Sequence, residues 1–307
     1  MELRPTRAAD LPSLSRLFDA RFGHPLTAEE WTWKYQQLPG EGRSVVAVDG
    51  AGVVVAHAGA LSLPARWGGG TAAIWQLTDF VGTPRSRGLR PPLVELGRLL
   101  LDDLPRAGEA PWIYGFPSER HFRLGQRVFG YVPLTRIQEW SGEVGAVPRG
   151  QQAAVELSVS DSTTVGVPEL GGIGESCGVL RTREFLNWRY WARPARYYRF
   201  YRAELPSGEA LLVFSFVGTE ARAAEVWLPR GEGTEALLSA VACDLSESGI
   251  SSWSFWESPN LTAVDLTRLG LAPHVDVFVG VRGRRDLPPP LAEARAFCYR
   301  MGDYDLT

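Results

Sequence analysis

The sequence contains little cysteine, histidine and lysine, and the first two scarcities exclude classes of site. The three cysteines, Cys177, Cys243 and Cys298, lie far apart and are odd in number, so they form neither a disulfide framework nor the close pairs of a zinc site. The four histidines lack spaced partners as well, and we therefore predict no metal site. Lys34 is the only lysine among 32 basic residues, so arginine carries nearly all of the positive charge.

Long apolar runs are missing too. No uninterrupted apolar stretch is long enough to cross a bilayer, and the first ten residues lack the apolar core of a signal peptide. The net charge is −3 over 307 residues, so no strong overall field attracts nucleic acid or an anionic membrane. We therefore expect a cytoplasmic protein with no membrane partner and no nucleic acid partner.

One stretch of the chain combines a strand, a turn and a helix in close succession. Residues Ile74–Val81 form an apolar run rich in β-branched and aromatic side chains, which predicts a buried strand. Two prolines then suit the first turn of a helix, and leucines follow at helical spacing. The prolines are Pro91 and Pro92, and the leucines are Leu93, Leu96, Leu100 and Leu104.

The turn between this strand and this helix has the composition of a phosphate site. Gly88 lets the backbone approach a ligand closely, and the free amides and the dipole of a helix start favour phosphate. Arg85, Arg87 and Arg90 add positive charge that can bond phosphate oxygens in pairs. We therefore predict that residues 85–90 hold a phosphate-bearing ligand.

This turn resembles the cofactor site of the GCN5-related N-acetyltransferases. That family reads Arg/Gln-x-x-Gly-x-Gly/Ala after its fourth strand and holds the pyrophosphate of acetyl-CoA there. Arg85 and Gly88 match the motif, whereas Arg90 stands where the family has Gly or Ala. The resemblance implies acetyl-CoA, or another acyl-CoA, as co-substrate. It also implies a set of cofactor-binding residues: Phe80, Val81, Gly82, Arg85, Ser86, Arg87, Gly88, Leu89, Arg90 and Ser118. Ser118 follows the fifth predicted strand, where it can also cap a helix.

The order of predicted elements resembles the same family, and it occurs twice. The segment Phe185–Tyr190 echoes Glu30–Tyr35, and similar strands and helices follow each copy. We therefore predict an α/β (α+β) fold of two tandem acetyltransferase-like domains, each a mixed, mostly antiparallel sheet flanked by helices. The predicted parts are a cofactor-binding domain at 1–145, a connecting region at 146–180 and a degenerate domain at 181–307. Glu232 places negative charge in the second copy of the phosphate turn, so we expect cofactor in the first domain only.

Acylation of an amine needs a base for the ammonium and an acid for the leaving thiolate. Asp79 lies near the end of the apolar strand, where burial would raise the pKa of its carboxyl and suit it as a base. The alternative is that it pairs with an arginine and orders the turn. The family's usual tyrosine acid is replaced by Arg127, which leaves Tyr131 or Tyr114 as substitutes or as core residues. His121 begins a helix facing the expected cleft, and it is either catalytic or structural.

The segment Arg181–Arg202 contains seven arginines interleaved with aromatic residues. Such a pattern can bind single-stranded nucleic acid by stacking, or its rings can pack between the two copies. The resemblance to the acetyltransferase family thus implies an acyl-CoA-dependent N-acyltransferase that moves an acetyl group to an amine of a small molecule or a peptide. An aminoacyl-tRNA-dependent transferase and a catalytically degenerate binding module stay open as alternatives.

Overall fold

The computed structural model of this chain describes residues 1–67, 70–83, 92–104, 112–147, 155–161, 178–229, 231–257, 261, 264–283 and 300–301. The chain divides into two compact units. The first unit is made of Met1–Thr135, Val179–Pro194 and Phe278–Ala294, and the second of Arg136–Gly178, Ala195–Val277 and Arg295–Thr307.

Both units contain strands and helices. In chain order they are β1 (Glu2–Pro5), α1 (Leu11–Phe22), α2 (Ala28–Gln36), β2 (Glu41–Val48), β3 (Val54–Trp67), β4 (Gly70–Gly82), α3 (Pro92–Asp103), β5 (Trp112–Gly115), α4 (Glu119–Val128), β6 (Val132–Glu143), β7 (Ser158–Asp161), β8 (Gly178–Val179), α5 (Arg183–Leu186), β9 (Tyr198–Leu205), β10 (Gly208–Val217), β11 (Glu220–Trp227), α6 (Thr234–Glu247), β12 (Ser252–Trp256) and β13 (Ala272–Gly283). The predicted class, a mixed and mostly antiparallel sheet flanked by helices, is confirmed.

The first unit holds the strands β1, β2, β3, β4 and β5 side by side in that order, with the end of β13 against β5. Only the β4–β5 pair is parallel among these neighbours. Small residues of β3, Ala56, Ala58 and Ala60, lie beneath Leu96 and Leu100 of α3 in the core of this unit. The leucine spacing that predicted α3 therefore marks the face that packs on the sheet.

Two local features of the first unit follow from short sequence patterns. The turn between β2 and β3 is closed by Asp49, whose Oδ1 accepts the amides of Ala51 and Val53 at 2.9 Å each. Helix α2 begins with a capping box, in which Thr27 Oγ1 accepts the amide of Glu30 at 3.0 Å and the Glu30 carboxylate accepts the amide of Thr27 at 2.9 Å.

The second unit places its strands in the order β6, β12, β11, β10, β9 and β7. The β11–β12 pair is parallel and the other pairs are antiparallel. Helix α6 contributes Leu237, Leu238, Val241 and Leu245 to a separate core. The second unit therefore repeats the pattern of the first, in which one parallel pair lies within an antiparallel sheet.

The repeated aromatic segments meet inside the first unit. The rings of Trp33 and Trp188 are stacked with centroids 5.1 Å apart. Each indole N–H donates to the backbone carbonyl of the other residue, at 2.7 Å from Trp33 and 2.9 Å from Trp188. Phe185 and Tyr190 beside them are also buried, each 1% exposed. These rings are therefore enclosed by protein, and the faces that a nucleic acid base would stack on are covered.

Two features are absent from the described residues. No helix in the described part of the chain is both long and apolar enough to cross a membrane. Within the same residues, no group of three or more His, Cys, Asp or Glu side chains converges on a point where a metal ion could bind.

Candidate active site

The strands β4 and β5 separate in the middle of the first unit. Their parallel pairing is confined to Trp75 with Ile113 and Gln76 with Tyr114, whereas β4 continues to Gly82. Beyond Gln76, β4 has no β5 partner within the described residues. In sheets of this kind, ligands bind in the opening at the carboxyl ends of the strands, and this divergence creates such an opening.

A cavity of about 960 Å³ lies at the carboxyl end of β4. Its wall combines apolar side chains with four arginines and one carboxylate, so its charge favours an anionic ligand. The end of α1 supplies Arg21 and Phe22, β4 and the residue after it supply Phe80, Val81, Gly82 and Thr83, α3 supplies Leu93 and Val94, and α4 with its N-cap supplies Ser118, Glu119, Arg120, His121, Arg123, Leu124 and Arg127.

The structure brings together five of the thirteen residues that the sequence predicted for the site. Five predicted site residues line the cavity: Phe80, Val81, Gly82, Ser118 and His121. The predicted phosphate turn, Arg85, Ser86, Arg87, Gly88, Leu89 and Arg90, lies outside the described residues. Asp79 and Tyr131 lie behind the cavity wall rather than in it.

Asp79 lies in a β-bulge. Opposite it, β3 pairs His57 with Val81 and Gly59 with Thr78, so β4 contains one extra residue between these pairs. Asp79 has φ 55°, a left-handed conformation that non-glycine residues adopt rarely. A bulge bends the strand and redirects the side chains that follow it, and here those are the residues that line the cavity.

The carboxylate of Asp79 is buried and has two side-chain partners. Its Oδ2 lies 2.7 Å from Lys34 Nζ, and the side chain is 3% exposed. The Tyr35 hydroxyl donates to the same oxygen at 2.6 Å. Burial alone would raise the pKa of Asp79, but the positive charge of Lys34 and the bonds from Lys34 and Tyr35 outweigh it, so the pKa lies below its ordinary value.

The expectation of a raised pKa at Asp79 is therefore wrong, and its partner is Lys34 rather than an arginine. Sequence reasoning missed Lys34 because ion pairing between a helix and a distant strand leaves no spacing signal. One signal was present: the chain's only lysine lies between Trp33 and Tyr35 in a helix, and a lysine flanked by aromatic residues marks a buried helix face.

His57 supports the backbone of the bulge. Its Nδ1 lies 3.0 Å from the Asp79 carbonyl oxygen, and its Nε2 lies 2.8 Å from Ser44 Oγ. Since a carbonyl can only accept, Nδ1 carries the proton and Nε2 accepts from the Ser44 hydroxyl. Burial lowers the pKa of His57 more than the nearby Asp79 charge raises it, so the ring is neutral near pH 7.

His121 is the histidine of the cavity wall. Ser118 caps α4 by accepting the amide of His121 at 3.4 Å, which confirms the capping role for this serine. The imidazole packs against Phe80 and Tyr131, with ring centroids 5.2 and 6.4 Å apart. Burial lowers the pKa of His121, so the ring is neutral near pH 7. Its buried Nε2 has no hydrogen-bond partner among the described residues.

Tyr131 and Tyr114, the two candidate acids, are both core residues. Tyr131 is 7% exposed and packs on Phe129, with ring centroids 5.7 Å apart. A side chain at Gly125 would collide with the Tyr131 ring, so α4 passes directly over it. Tyr114 is 1% exposed, and its hydroxyl donates to Gln76 at 3.3 Å. Neither residue lines the cavity.

Solved structures with a similar architecture carry the names of N-acetyltransferases, of a tandem GNAT protein or of a probable N-acyltransferase. A tandem GNAT protein (GNAT, GCN5-related N-acetyltransferase) from the clavulanic acid biosynthesis pathway aligns with 94% of this chain and 99% of its own, with TM-score 0.65 and 12% identity. A GCN5-related N-acetyltransferase from Sphaerobacter thermophilus aligns with 93% of this chain and 96% of its own, with TM-score 0.54 and 20% identity. A probable N-acyltransferase from Enterococcus faecalis V583 aligns with 92% of this chain and 72% of its own, with TM-score 0.65 and 14% identity.

No protein-family model matches the sequence, and no curated protein matches it significantly. At these identities the structural likeness establishes the fold. The chain has the tandem GCN5-related N-acetyltransferase fold that the sequence predicted.

Proposed function

We propose that this protein is an acyl-CoA-dependent N-acyltransferase, with acetyl-CoA as the acyl donor and an amine of a small molecule or a peptide as the acceptor. The observation that carries the proposal is the cavity at the split between β4 and β5. A strand edge without a neighbouring strand offers backbone N–H and C=O groups, and the pantetheine arm of CoA is an extended chain with two amide groups that can bond them.

The charges around the cavity suit the phosphates of CoA. Arg120, Arg123 and Arg127 project from α4, and Arg21 comes from α1. Arg21 also donates from Nε and Nη2 to the Gly82 carbonyl, at 2.8 and 2.6 Å, which fixes the end of β4. Guanidinium groups bond phosphate oxygens in pairs. We assign phosphate binding to these arginines together with the turn at 85–90.

We assign the role of general base to His121. A neutral imidazole with an unpartnered Nε2 can take a proton from the acceptor ammonium. The freed amine then attacks the thioester carbonyl, a C–N bond forms, and the C–S bond breaks to release the CoA thiolate. Asp79 fits this role less well, because its carboxylate is held by Lys34 and Tyr35 and its pKa is lowered.

Six of the eight aromatic rings in the segment Arg181–Arg202 are buried, whereas Tyr197 is 44% exposed, and this burial supports the proposal over transfer from aminoacyl-tRNA. That alternative drew on rings interleaved with arginines, but Phe185, Trp188 and Tyr190 are at most 6% exposed. Two of the arginines lie against aromatic rings instead: Arg193 is 5.1 Å from the centre of Trp33, and Arg181 is 4.8 Å from the centre of Phe185.

The turn at 85–90 yields a test of the donor. We expect the double substitution Arg85→Ala and Arg87→Ala to weaken acetyl-CoA binding by about tenfold or more, because each charge-assisted hydrogen bond contributes about 1.5–3 kcal/mol. Isothermal titration calorimetry measures the change. The matched control removes two exposed arginines elsewhere, Arg183→Ala and Arg268→Ala, and should leave the affinity unchanged. Equal affinities for both double variants would remove this turn from the binding site.

A further inference from the structure

The bulge at Asp79 needs support from its surroundings. Asp79 has φ 55°, and a non-glycine residue keeps such a conformation only where neighbouring contacts over-determine it. Its side chain is buried on the side of α2, whereas the next residue, Phe80, lies in the cavity wall against His121. The conformation of Asp79 therefore sets where the following residues, Phe80–Thr83, point.

Three side chains hold this one residue. Lys34 Nζ lies 2.7 Å from Oδ2 of Asp79, and the Tyr35 hydroxyl donates to the same oxygen at 2.6 Å. His57 Nδ1 donates to its backbone carbonyl at 3.0 Å. Both the side chain and the peptide group of Asp79 are thus fixed, from α2 and from β3. We call Lys34, Tyr35, His57 and Asp79 the brace.

Two glycines leave the space that Tyr35 of the brace occupies. A side chain at Gly59 would collide with the Tyr35 hydroxyl, and one at Gly42 would collide with the Tyr35 backbone. Gly59 pairs with Thr78, directly beside the bulge. Because glycine in a strand interior weakens the strand, its presence at the two positions that admit Tyr35 indicates that close approach of α2 is built into the fold.

We infer that Lys34 is a positioning residue for the acyl donor: by its charge it holds Asp79 in the bulge, and the bulge sets the β4 wall, Phe80–Thr83, that receives the pantetheine arm. The effect on the donor rests on the proposed function, whereas the effect on β4 does not.

The charges around Lys34 give the brace a pH dependence. Burial, with smaller contributions from the charges of Arg193 and Arg189, outweighs the opposing effect of Asp79 and lowers the pKa of Lys34 to about 8. Lys34 therefore loses its proton as the pH rises through about 8, and the ion pair with Asp79 is lost above that pH. The other groups that face Lys34 keep their protonation states near pH 8. Tyr35 has a raised pKa and stays protonated, His57 stays neutral, and the guanidinium groups of Arg189 and Arg193 stay charged.

The test compares Lys34→Met, Lys34→Arg and wild type as full-length chains. We expect Lys34→Met to weaken acetyl-CoA binding by about tenfold or more, because small displacements of a binding wall are costly. Amide hydrogen exchange at Phe80–Thr83 should rise without ligand, and kcat at saturating donor should change less than Kd. Between about pH 7 and pH 9 the wild-type affinity should fall, while Lys34→Arg, which stays charged, should bind well and show no such fall.

The matched control is Arg4→Met, which breaks another enclosed ion pair of the first unit, Arg4 with Asp10, whose side chains are 13% and 9% exposed. It should lower the free energy of unfolding and leave donor affinity and β4 exchange unchanged. If Lys34→Met does not fold, the pair Lys34→Met with Asp79→Asn leaves no unpaired buried charge and should show the same two losses.

The affinity measurement and the hydrogen-exchange measurement separate this inference from the proposed function. A wild-type chain that does not bind acetyl-CoA would contradict the proposed function alone. Hydrogen exchange at Phe80–Thr83 would then still show whether the brace fixes the end of β4. Normal exchange at Phe80–Thr83, or normal donor affinity, in a folded chain without the Lys34 charge would overturn the inference.

Discussion

Replacing His121 with glutamine should lower kcat by about 10²- to 10⁴-fold, the usual size of a general-base contribution. Glutamine is polar and close in size, but it cannot take a proton from the acceptor ammonium. His121 lies in the cavity wall with a buried, unpartnered Nε2 among the described residues, so the loss should appear in the chemical step. Release of CoA thiol with a panel of primary amines measures kcat, and calorimetry measures the affinity for acetyl-CoA, which should change little.

The control is His274→Gln, because His274 is an exposed histidine of the second unit and should have no effect. The pH profile adds a second readout. Since burial lowers the pKa of His121 below its ordinary 6.5, the ring stays neutral at pH 7 and gains a proton only as the pH falls through that lowered value. The wild-type kcat should therefore stay level as the pH falls to 6.5 and decline only as it falls further, through the lowered pKa of His121. Normal turnover in His121→Gln would remove it as the base.

Replacing Trp188 with alanine should lower the free energy of unfolding by about 3–5 kcal/mol, the usual cost of deleting a buried tryptophan. Trp188 is 6% exposed, is stacked on Trp33 at 5.1 Å and donates to its carbonyl at 2.9 Å. The substitution leaves a cavity and also uncovers the Trp33 ring. Urea unfolding followed by tryptophan fluorescence measures the change.

A milder substitution separates the two contributions of Trp188. Trp188→Phe keeps an aromatic ring against Trp33 but removes the N–H donor, so it should cost about 1–3 kcal/mol through the unpaired carbonyl and the smaller ring. A loss below about 1 kcal/mol for Trp188→Ala, the size of an ordinary surface change, would contradict the role of the stacked pair.

Local sequence patterns correctly predicted the strand and the helices around the site. The apolar run before the turn is β4, the leucine spacing is α3, and Ser118 begins α4 where it was expected. These features depend on residues close together in sequence, where periodicity and capping rules apply. Of the site residues that the family resemblance or the expected cleft suggested, five line one cavity.

The features that sequence could not give depend on distant residues. The pKa of Asp79 was predicted to be raised, whereas it is lowered. Burial of the carboxyl could be predicted from the sequence, but its ion pair with Lys34 could not. The echo of Trp33 and Trp188 was visible in the sequence, but their reciprocal hydrogen bonds join residues 155 positions apart. Such contacts follow from tertiary packing, which no local pattern encodes.

Binding of an acyl-CoA in the cavity of the first unit is the step on which the proposed function depends. The most direct test is calorimetric titration of acetyl-CoA into the full chain, the variant Leu124→Trp, which fills the cavity from α4, and the control Leu99→Trp, at a leucine of α3 that is 39% exposed. We expect one site per chain in wild type and in Leu99→Trp, and no binding in Leu124→Trp. Two sites per chain, no site in wild type, or unchanged binding in Leu124→Trp would contradict this expectation.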